Sequence, residues 1–326
     1  MVLKDNPSLM NDEFPLEPHL RLPQAQGLNK EPRFGQVAIV GRPNVGKSSL
    51  LNRLVGQKIS ITAPKPQTTR HRITGILSET RGQIVFVDTP GIHQGGADAL
   101  NRQLNRTARS GFDGVDLVLF VVQAGRFNEE DAAVLSLIQA SSLPVILLIN
   151  KIDLIRDKAE LFPFLAAMQA RHEFLALYPI SARRDRGFDG LLDLLFKHMP
   201  AGEPAYDPSE VTTITTRFMA AEIIREKLAR LLHDELPYKT TVLIERFDES
   251  PDLTEIDGII YVARESQKGI VIGTGGAKLK EIGVQARHDL EQLLDTKVML
   301  RLWAKVREDW ADDERAVQSL GYQLPE

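Results

Sequence analysis

The run Gly41-Arg-Pro-Asn-Val-Gly-Lys-Ser48 has the residue types and spacing needed to wrap a phosphate chain. Glycines let successive backbone N–H groups face the anion, and the helix that follows adds the positive end of its dipole. At this spacing Lys47 reaches the β- and γ-phosphates and Ser48 offers its hydroxyl to Mg²⁺. Gly41, Arg42, Pro43, Asn44, Val45, Gly46 and Ser49 complete the cradle. Asp88-Thr-Pro-Gly91 closes the next apolar run, where a carboxylate holds Mg²⁺ through its water shell and Gly91 brings a backbone N–H to a γ-phosphate. Thr89, Pro90 and Ile92 belong to the same turn. Alone, an Asp at a strand end is usually a turn residue; beside a phosphate loop, the metal role is the better reading.

Asn150-Lys-Ile-Asp153 selects the base. The Asp153 carboxylate accepts from guanine N1–H and N2–H₂, bonds that adenine cannot offer, and a site built on such bonds rejects the wrong base by roughly 10⁴–10⁵. Asn150 fixes the loop, and the Lys151 stem packs over the purine. Ile180-Ser-Ala182 ends the following apolar run, so that the Ala182 N–H, beside Ser181, would donate to guanine O6.

These motifs need strand ends to stand on. Short apolar runs at Val37–Val40, Ile84–Val87, Leu117–Val122, Val145–Ile149 and Phe174–Tyr178 alternate with amphipathic stretches at Lys47–Val55, Ala97–Arg109, Glu129–Ala140, Asp157–Arg171 and Phe188–His198. Alternation of this kind predicts βαβ units and a mostly parallel sheet, with ligands at the carboxyl ends of its strands. The breaker-rich run Met199–Pro208 ends this domain. A helix near Phe218–Leu232, strands near Thr241–Phe247 and Gly258–Arg264, a helix at Ala277–Leu294 and a strand at Val298–Trp303 then predict a small α+β domain. The expected boundaries are an extension over 1–33, a first domain over 34–198, a linker over 199–210, a second domain over 211–308 and an acidic tail over 309–326.

The 326 residues contain no Cys, which excludes disulfides, thiolate nucleophiles and cysteine-ligated metals. No segment reaches the ~18 consecutive apolar residues of a membrane span. A net charge of −4 shows no overall basicity, so nucleic-acid binding must come from a local patch. Gly258 to Arg307 is such a patch, with nine basic and five acidic residues.

The motif order over residues 36–198 resembles the guanine-nucleotide domain of translation-factor-type GTPases. Gly41 to Ser49, Gln67-Thr-Thr-Arg-His71 and Asp88-Thr-Pro-Gly-Ile92 together resemble the Era branch of bacterial GTPases. The segment Arg264 to Gly283 resembles a KH module, with Gly273-Thr-Gly-Gly276 as its GxxG loop. In such a loop, backbone N–H groups approach a nucleic-acid backbone and clamp about four nucleotides. Lys268, Lys278 and Lys280 flank it, and Thr274 and Gly275 stand where the family often has a basic residue.

The resemblance covers residues 34 to about 308 and implies a Ras-like P-loop α/β domain followed by an α+β KH-type domain. It implies a slow GTPase using GTP/GDP and Mg²⁺, with Lys47, Thr69 and Gly91 catalytic and Ser48, Thr69 and Asp88 on the metal. Either Thr68 or Thr69 lies in the first switch, and the family's paired threonines favour Thr69. Many GTPases carry a water-orienting Gln where this chain has Ile92. Hydrocarbon cannot orient water, so that role passes to a backbone group, a cation or a partner. Asn44 matches a position that helps hold K⁺ in related proteins. The implied partners are small-subunit ribosomal RNA near its 3′ end and the small ribosomal subunit, whose assembly the protein would assist as a cytoplasmic monomer. An alternative is a nucleotide-gated switch, either membrane-associated on the inner face or signalling, that uses the KH fold as a protein-binding scaffold.

Overall fold

Strands covered on both faces must be apolar along their whole length, and Leu117-Val-Leu-Phe-Val-Val122 is buried throughout. The computed structural model describes residues 31–326 except 66, 92–97, 185–187, 189, 234–235 and 323–326. The expected extension up to residue 30, and Ile92, lie outside the described residues. The first sheet comprises β1 (Arg33–Val40), β2 (Ile73–Glu79), β3 (Gly82–Asp88), β4 (Leu117–Gln123), β5 (Val145–Asn150) and β6 (Ala176–Pro179). Its order is β2-β3-β1-β4-β5-β6, and only β2 runs antiparallel. Helices α1 (Lys47–Val55), α2 (Ala99–Ser110), α3 (Glu129–Ser141), α4 (Leu161–Gln169) and α5 (Leu191–His198) cover its two faces. The carboxyl ends of β1, β3 and β5 therefore lead into residues 41–48, the turn after Asp88, and the Asn150 motif.

β2 was absent from the sequence expectation, because Gly75 and Ser78 interrupt its apolar pattern. The expected helix over 157–171 is a 3-10 turn at Lys158–Glu160 followed by α4. Pro163 sits in the first turn of α4, where the N–H it lacks would have no intrahelical partner. The expected linker is strapped to the sheet: Gly202 N–H donates to Pro32 O at 2.9 Å, and Gln83 Nε2 donates to Tyr206 O at 2.9 Å.

The second sheet has the order β7-β8-β9, from β7 (Thr240–Glu249), β8 (Leu253–Val262) and β9 (Lys297–Val306). β7 and β8 are antiparallel, and β8 and β9 are parallel. Helices α6 (Thr216–Leu231), α7 (Glu265–Ile272) and α8 (Ala277–Leu294) pack on this sheet through Ile223, Ile224, Leu228, Val271, Ile282 and Leu290. Among the described residues, no helix is long and apolar enough to cross a membrane.

Of the acidic tail expected over 309–326, residues 323–326 lie outside the described residues and the part before them is a packed element instead. Residues 310–322 fold around α9 (Glu314–Ser319), and Trp310 is completely buried. Trp310, Ala311, Val317, Leu320 and Tyr322 pack with Leu100 and Leu104 of α2, while the acids face outward. Acidic composition concealed an apolar spacing that becomes useful only when α2 is beside it.

Candidate functional site

The phosphate-binding run forms a loop between β1 and α1. Gly46 is left-handed at φ 101°, and a Cβ there would stand 2.4 Å from the Asn150 amide nitrogen. Glycine is required because that amide reaches across to donate to Val45 O at 2.8 Å. Lys47 is buried and donates to the carbonyls of Gly41 and Arg42 at 3.0 and 3.1 Å. Pro43, Asn44, Gly46, Lys47, Ser48, Ser49 and Gly91 line one cavity with Thr68 and Thr69.

Ser48 Oγ lies 2.7 Å from Thr69 Oγ1 and donates to Asp88 Oδ2 at 2.8 Å. Thr68 Oγ1 instead closes a local turn on Lys65 O at 2.6 Å. The structure thus brings Thr69, and not Thr68, to Ser48 and Asp88. Asp88 is fully buried, and its Oδ1 has no hydrogen-bond partner among the described residues. One carboxylate and two hydroxyls suit a hard cation that keeps most of its waters and takes the rest of its ligands from phosphates, as Mg²⁺ does. Burial pushes the Asp88 carboxyl up to about 6, against the opposing charge of Lys47 and the bonds from Ser48 and Thr69. Burial also lowers Lys47 to about 8, against the pull of Asp88. Desolvation thus opposes the charge on both groups, and an anionic phosphate chain and a cation would offset that cost. Thr89 Oγ1 donates to Ile39 O at 3.4 Å, tying the turn after β3, which continues through Pro90, to β1.

At the base end, Asn150 Oδ1 accepts from the N–H groups of Lys151 and Ala182 at 2.8 and 3.0 Å. The Ala182 N–H expected to face guanine O6 is therefore engaged by Asn150. Ser181 Oγ donates to Asp153 Oδ1 at 2.5 Å, which orients the carboxylate. Lys151 stands left-handed at φ 64° and donates through Nζ to Asn44 O, so its stem spans from this motif to the phosphate loop.

The segment between α1 and β2 is bound on its other side by α6. Thr62 N–H donates to Glu226 Oε1 at 2.8 Å, and Lys58 Nζ donates to Glu226 Oε2 at 2.9 Å. Arg225 donates to Thr68 O, and Lys65 to Leu232 O. Arg70, 2 % exposed, donates to the carbonyls of Thr240, Pro237 and Tyr238 at 2.8, 2.9 and 3.1 Å, and to Tyr322 Oη at 3.1 Å. Sequence reasoning missed these partners. The only available signal was the density of charge on α6, which reads as a solvated face until the segment covers it.

In the second domain, Gly273 to Gly276 turns between α7 and α8. Gly275 and Gly276 have φ of 58° and 81°, and a Cβ at either meets nothing within 4 Å, so the loop presents bare backbone to the surface. Below it a groove of about 360 Å³ is lined by Gly276, Leu279, Lys280, Val284, Arg287 and Leu302, among others. Lys268 pairs with Glu265 at 3.0 Å and Lys278 with Glu281 at 2.8 Å. Lys280 has no ion-pair partner among the described residues, and it is the lysine that lines the groove. Arg287 was not anticipated, although its spacing from Lys280 places both on one helix face.

A family model described as "50S ribosome-binding GTPase" matches residues 36–151, and a "KH domain" model matches residues 235–311. The chain is 48% identical over 291 residues to the GTPase Era of Xanthomonas axonopodis pv. citri (strain 306), covering 89% of this chain and 97% of that one. It is equally 48% identical over 289 residues to the GTPase Era of Stenotrophomonas maltophilia (strain K279a), with the same coverage of both chains, 89% and 97%. Two solved structures superpose with a TM-score of 0.87 at 38% identity over 90% of this chain and 100% of theirs. One is an Aquifex aeolicus Era variant bound to GDP·AlF₄⁻, and the other is Era with MgGDPNP and nucleotides 1506–1542 of 16S ribosomal RNA. A guanine-nucleotide pocket, a GxxG loop over an open groove, and relatives matched along nearly their full length agree: this chain belongs to the Era family of GTPases.

Proposed function

We propose that this GTPase binds the 3′-terminal region of small-subunit ribosomal RNA and, as a cytoplasmic monomer, assists assembly of the small ribosomal subunit. One observation carries the reading. A solved Era holds a GTP analogue and 16S nucleotides 1506–1542 together, and this chain matches it over 90% of its length.

In this reading the loop of residues 41–49 cradles the phosphates, and Lys47 leaves its carbonyl partners for the β- and γ-oxygens. Ser48, Thr69 and Asp88 hold Mg²⁺, which when bound offsets phosphate charge. Gly91 N–H meets the γ-phosphate, and the Asp153 carboxylate recognises guanine while Asn150, Lys151, Ser181 and Ala182 shape its pocket. Asn44 would help hold a K⁺ near the phosphates. RNA lies over Gly273–Gly276 and along the groove, with Lys280 and Arg287 against phosphates and Lys268 and Lys278 at its margin.

Ultraviolet crosslinking of the protein to ribosomal RNA, with a non-hydrolysable GTP analogue present, tests the reading. Crosslinks are expected in peptides spanning residues 268–287, to the 3′ end of the small-subunit RNA. Crosslinks confined to other RNAs, or their absence from those peptides, would remove the assignment.

A further inference from the structure

The phosphate loop is held from outside by side chains of two separate elements. Asn150 and Lys151, at the end of β5, grip the carbonyls of Val45 and Asn44. The other grip comes from α3, which carries none of the nucleotide motifs. The Arg42 guanidinium bridges the loop and this helix: its Nη1 donates to Pro43 O at 3.3 Å, and its Nε donates to Asp131 Oδ2 at 3.0 Å. Arg42 is 6% exposed and Asp131 0%. Asp131 is itself fixed: its N–H donates to Asn128 Oδ1 at 3.1 Å, and its Oδ2 accepts from Asn128 N–H at 3.1 Å, a reciprocal cap on α3.

We infer that Asp131 is a positioning residue for nucleotide binding, holding Arg42 and through it the backbone of residues 41–43 in the shape that receives phosphates. The path is continuous, since Arg42 O accepts from Lys47 Nζ at 3.1 Å. A stability role alone does not account for the pair. Each partner makes one bond to the other, while Arg42 Nη2 and Asp131 Oδ1 are buried without a partner among the described residues. Buried ion pairs of this kind are often matched in stability by well-packed apolar residues. An apolar pair, however, has no directional bond with which to orient a loop. The inference rests on residues 41–49 being the phosphate site.

The test measures GDP and GTP-analogue affinity, saturated turnover and Tm in Asp131→Ala, Asp131→Asn, Asn128→Ala, Arg42→Ala and the Arg42→Ala/Asp131→Ala double variant, with Lys47→Ala alongside. Asp131→Ala is expected to weaken both nucleotides by about tenfold or more, within the usual range of contacting-pair couplings, with kcat within about twofold. Asp131→Asn retains an acceptor oxygen for Arg42 and should recover most of the affinity. Asn128→Ala removes the side-chain half of the cap but keeps the Asn128 N–H to Asp131 Oδ2 and the Arg42 bond, so it should lower Tm and cost clearly less affinity than Asp131→Ala. The double variant should bind no more weakly than Arg42→Ala. Parent-like affinity in Asp131→Ala, an equal loss in Asn128→Ala, or additive losses in the double variant would overturn the inference. Parent-like binding by Lys47→Ala would instead bring down the phosphate-site reading beneath it.

Discussion

Thr69 and Arg70 are adjacent in the chain and hold opposite halves of the protein. Thr69 Oγ1 lies 2.7 Å from Ser48 Oγ in the phosphate loop, while Arg70 donates to Thr240 O at 2.8 Å and Pro237 O at 2.9 Å in the second domain. One peptide unit therefore separates a contact to the phosphate loop from a contact to the second domain. That arrangement joins the two sites through neighbouring residues, and coupling requires that these contacts differ between nucleotide states.

Replacing Arg70 with Ala should reduce the difference in RNA affinity between the GTP-analogue and GDP forms. It should also lower stability by about 3 kcal/mol, the scale of hydrogen bonds to a charged donor. Lysine should rescue little, because a point charge cannot fan across several carbonyls. RNA titrations in both nucleotide states check this. An unchanged affinity ratio in Arg70→Ala would show that the grip carries no coupling.

Asp153→Asn should favour xanthine nucleotides over GTP, since the amide suits the altered base edge. Competition between GTP and xanthosine triphosphate measures the switch. Normal GTP affinity with no gain for xanthosine triphosphate would remove the guanine role of Asp153.

If a cation near Asn44 supports hydrolysis, replacing Na⁺ with K⁺ at fixed ionic strength should raise turnover. Asn44 stands at φ 61°, so Asn44→Gly is the variant of choice: it deletes the side chain without straining the left-handed backbone. The variant should lose the K⁺ effect and keep nucleotide binding. Equal parental rates in both salts would dismiss the cation.

An acid placed at the RNA loop should act without touching the nucleotide pocket. Gly275 has φ 58°, so the substitution belongs at Thr274. Thr274→Asp combined with Lys280→Glu should weaken RNA binding at least tenfold, because phosphate contacts carry much of the affinity. GDP binding should be unchanged. RNA affinity equal to the parent's would move the interface elsewhere.

The contact between α6 and the segment at residues 58–70 should fail in acid. Burial alone would raise the Glu222 carboxyl, but the Arg225 charge and hydrogen bond outweigh it and hold the group below its ordinary value. Asp289 is likewise lowered, with Lys227 and Lys58 outweighing burial. A depressed carboxylate contributes its full stability above the unfolded-state value, about 3.9–4.3, and loses it as pH falls through the folded value. Glu222 and Asp289 should therefore contribute a fall in Tm below about pH 4, and that part of the fall should be smaller in Glu222→Gln. Parallel acid profiles for parent and variant would exclude Glu222 from the effect.

The chemistry of the nucleotide site was legible in the sequence because each motif is a contiguous run whose backbone must bend around one ligand. Residues 41–48, 88–91 and 150–153 each combine a strand end with the residues that follow it, so spacing alone places carboxylate, hydroxyl and amine. The GxxG loop between α7 and α8 is local in the same way. The choice of Thr69 over Thr68 was not local: it depends on how the segment before β2 folds back over Ser48 and Asp88. Arg70, Glu226, Asp131 and the Trp310 segment lay beyond reach for the same reason. Their partners are 89 to 252 residues away or on another helix, and their charges pattern like a solvated surface. Sequence thus determined the candidate groups for a nucleotide and an RNA backbone, because each candidate set is made of neighbours along the chain. Tertiary structure decided how the two sites are joined, because a buried charge declares its role only when packing brings its distant partner into contact.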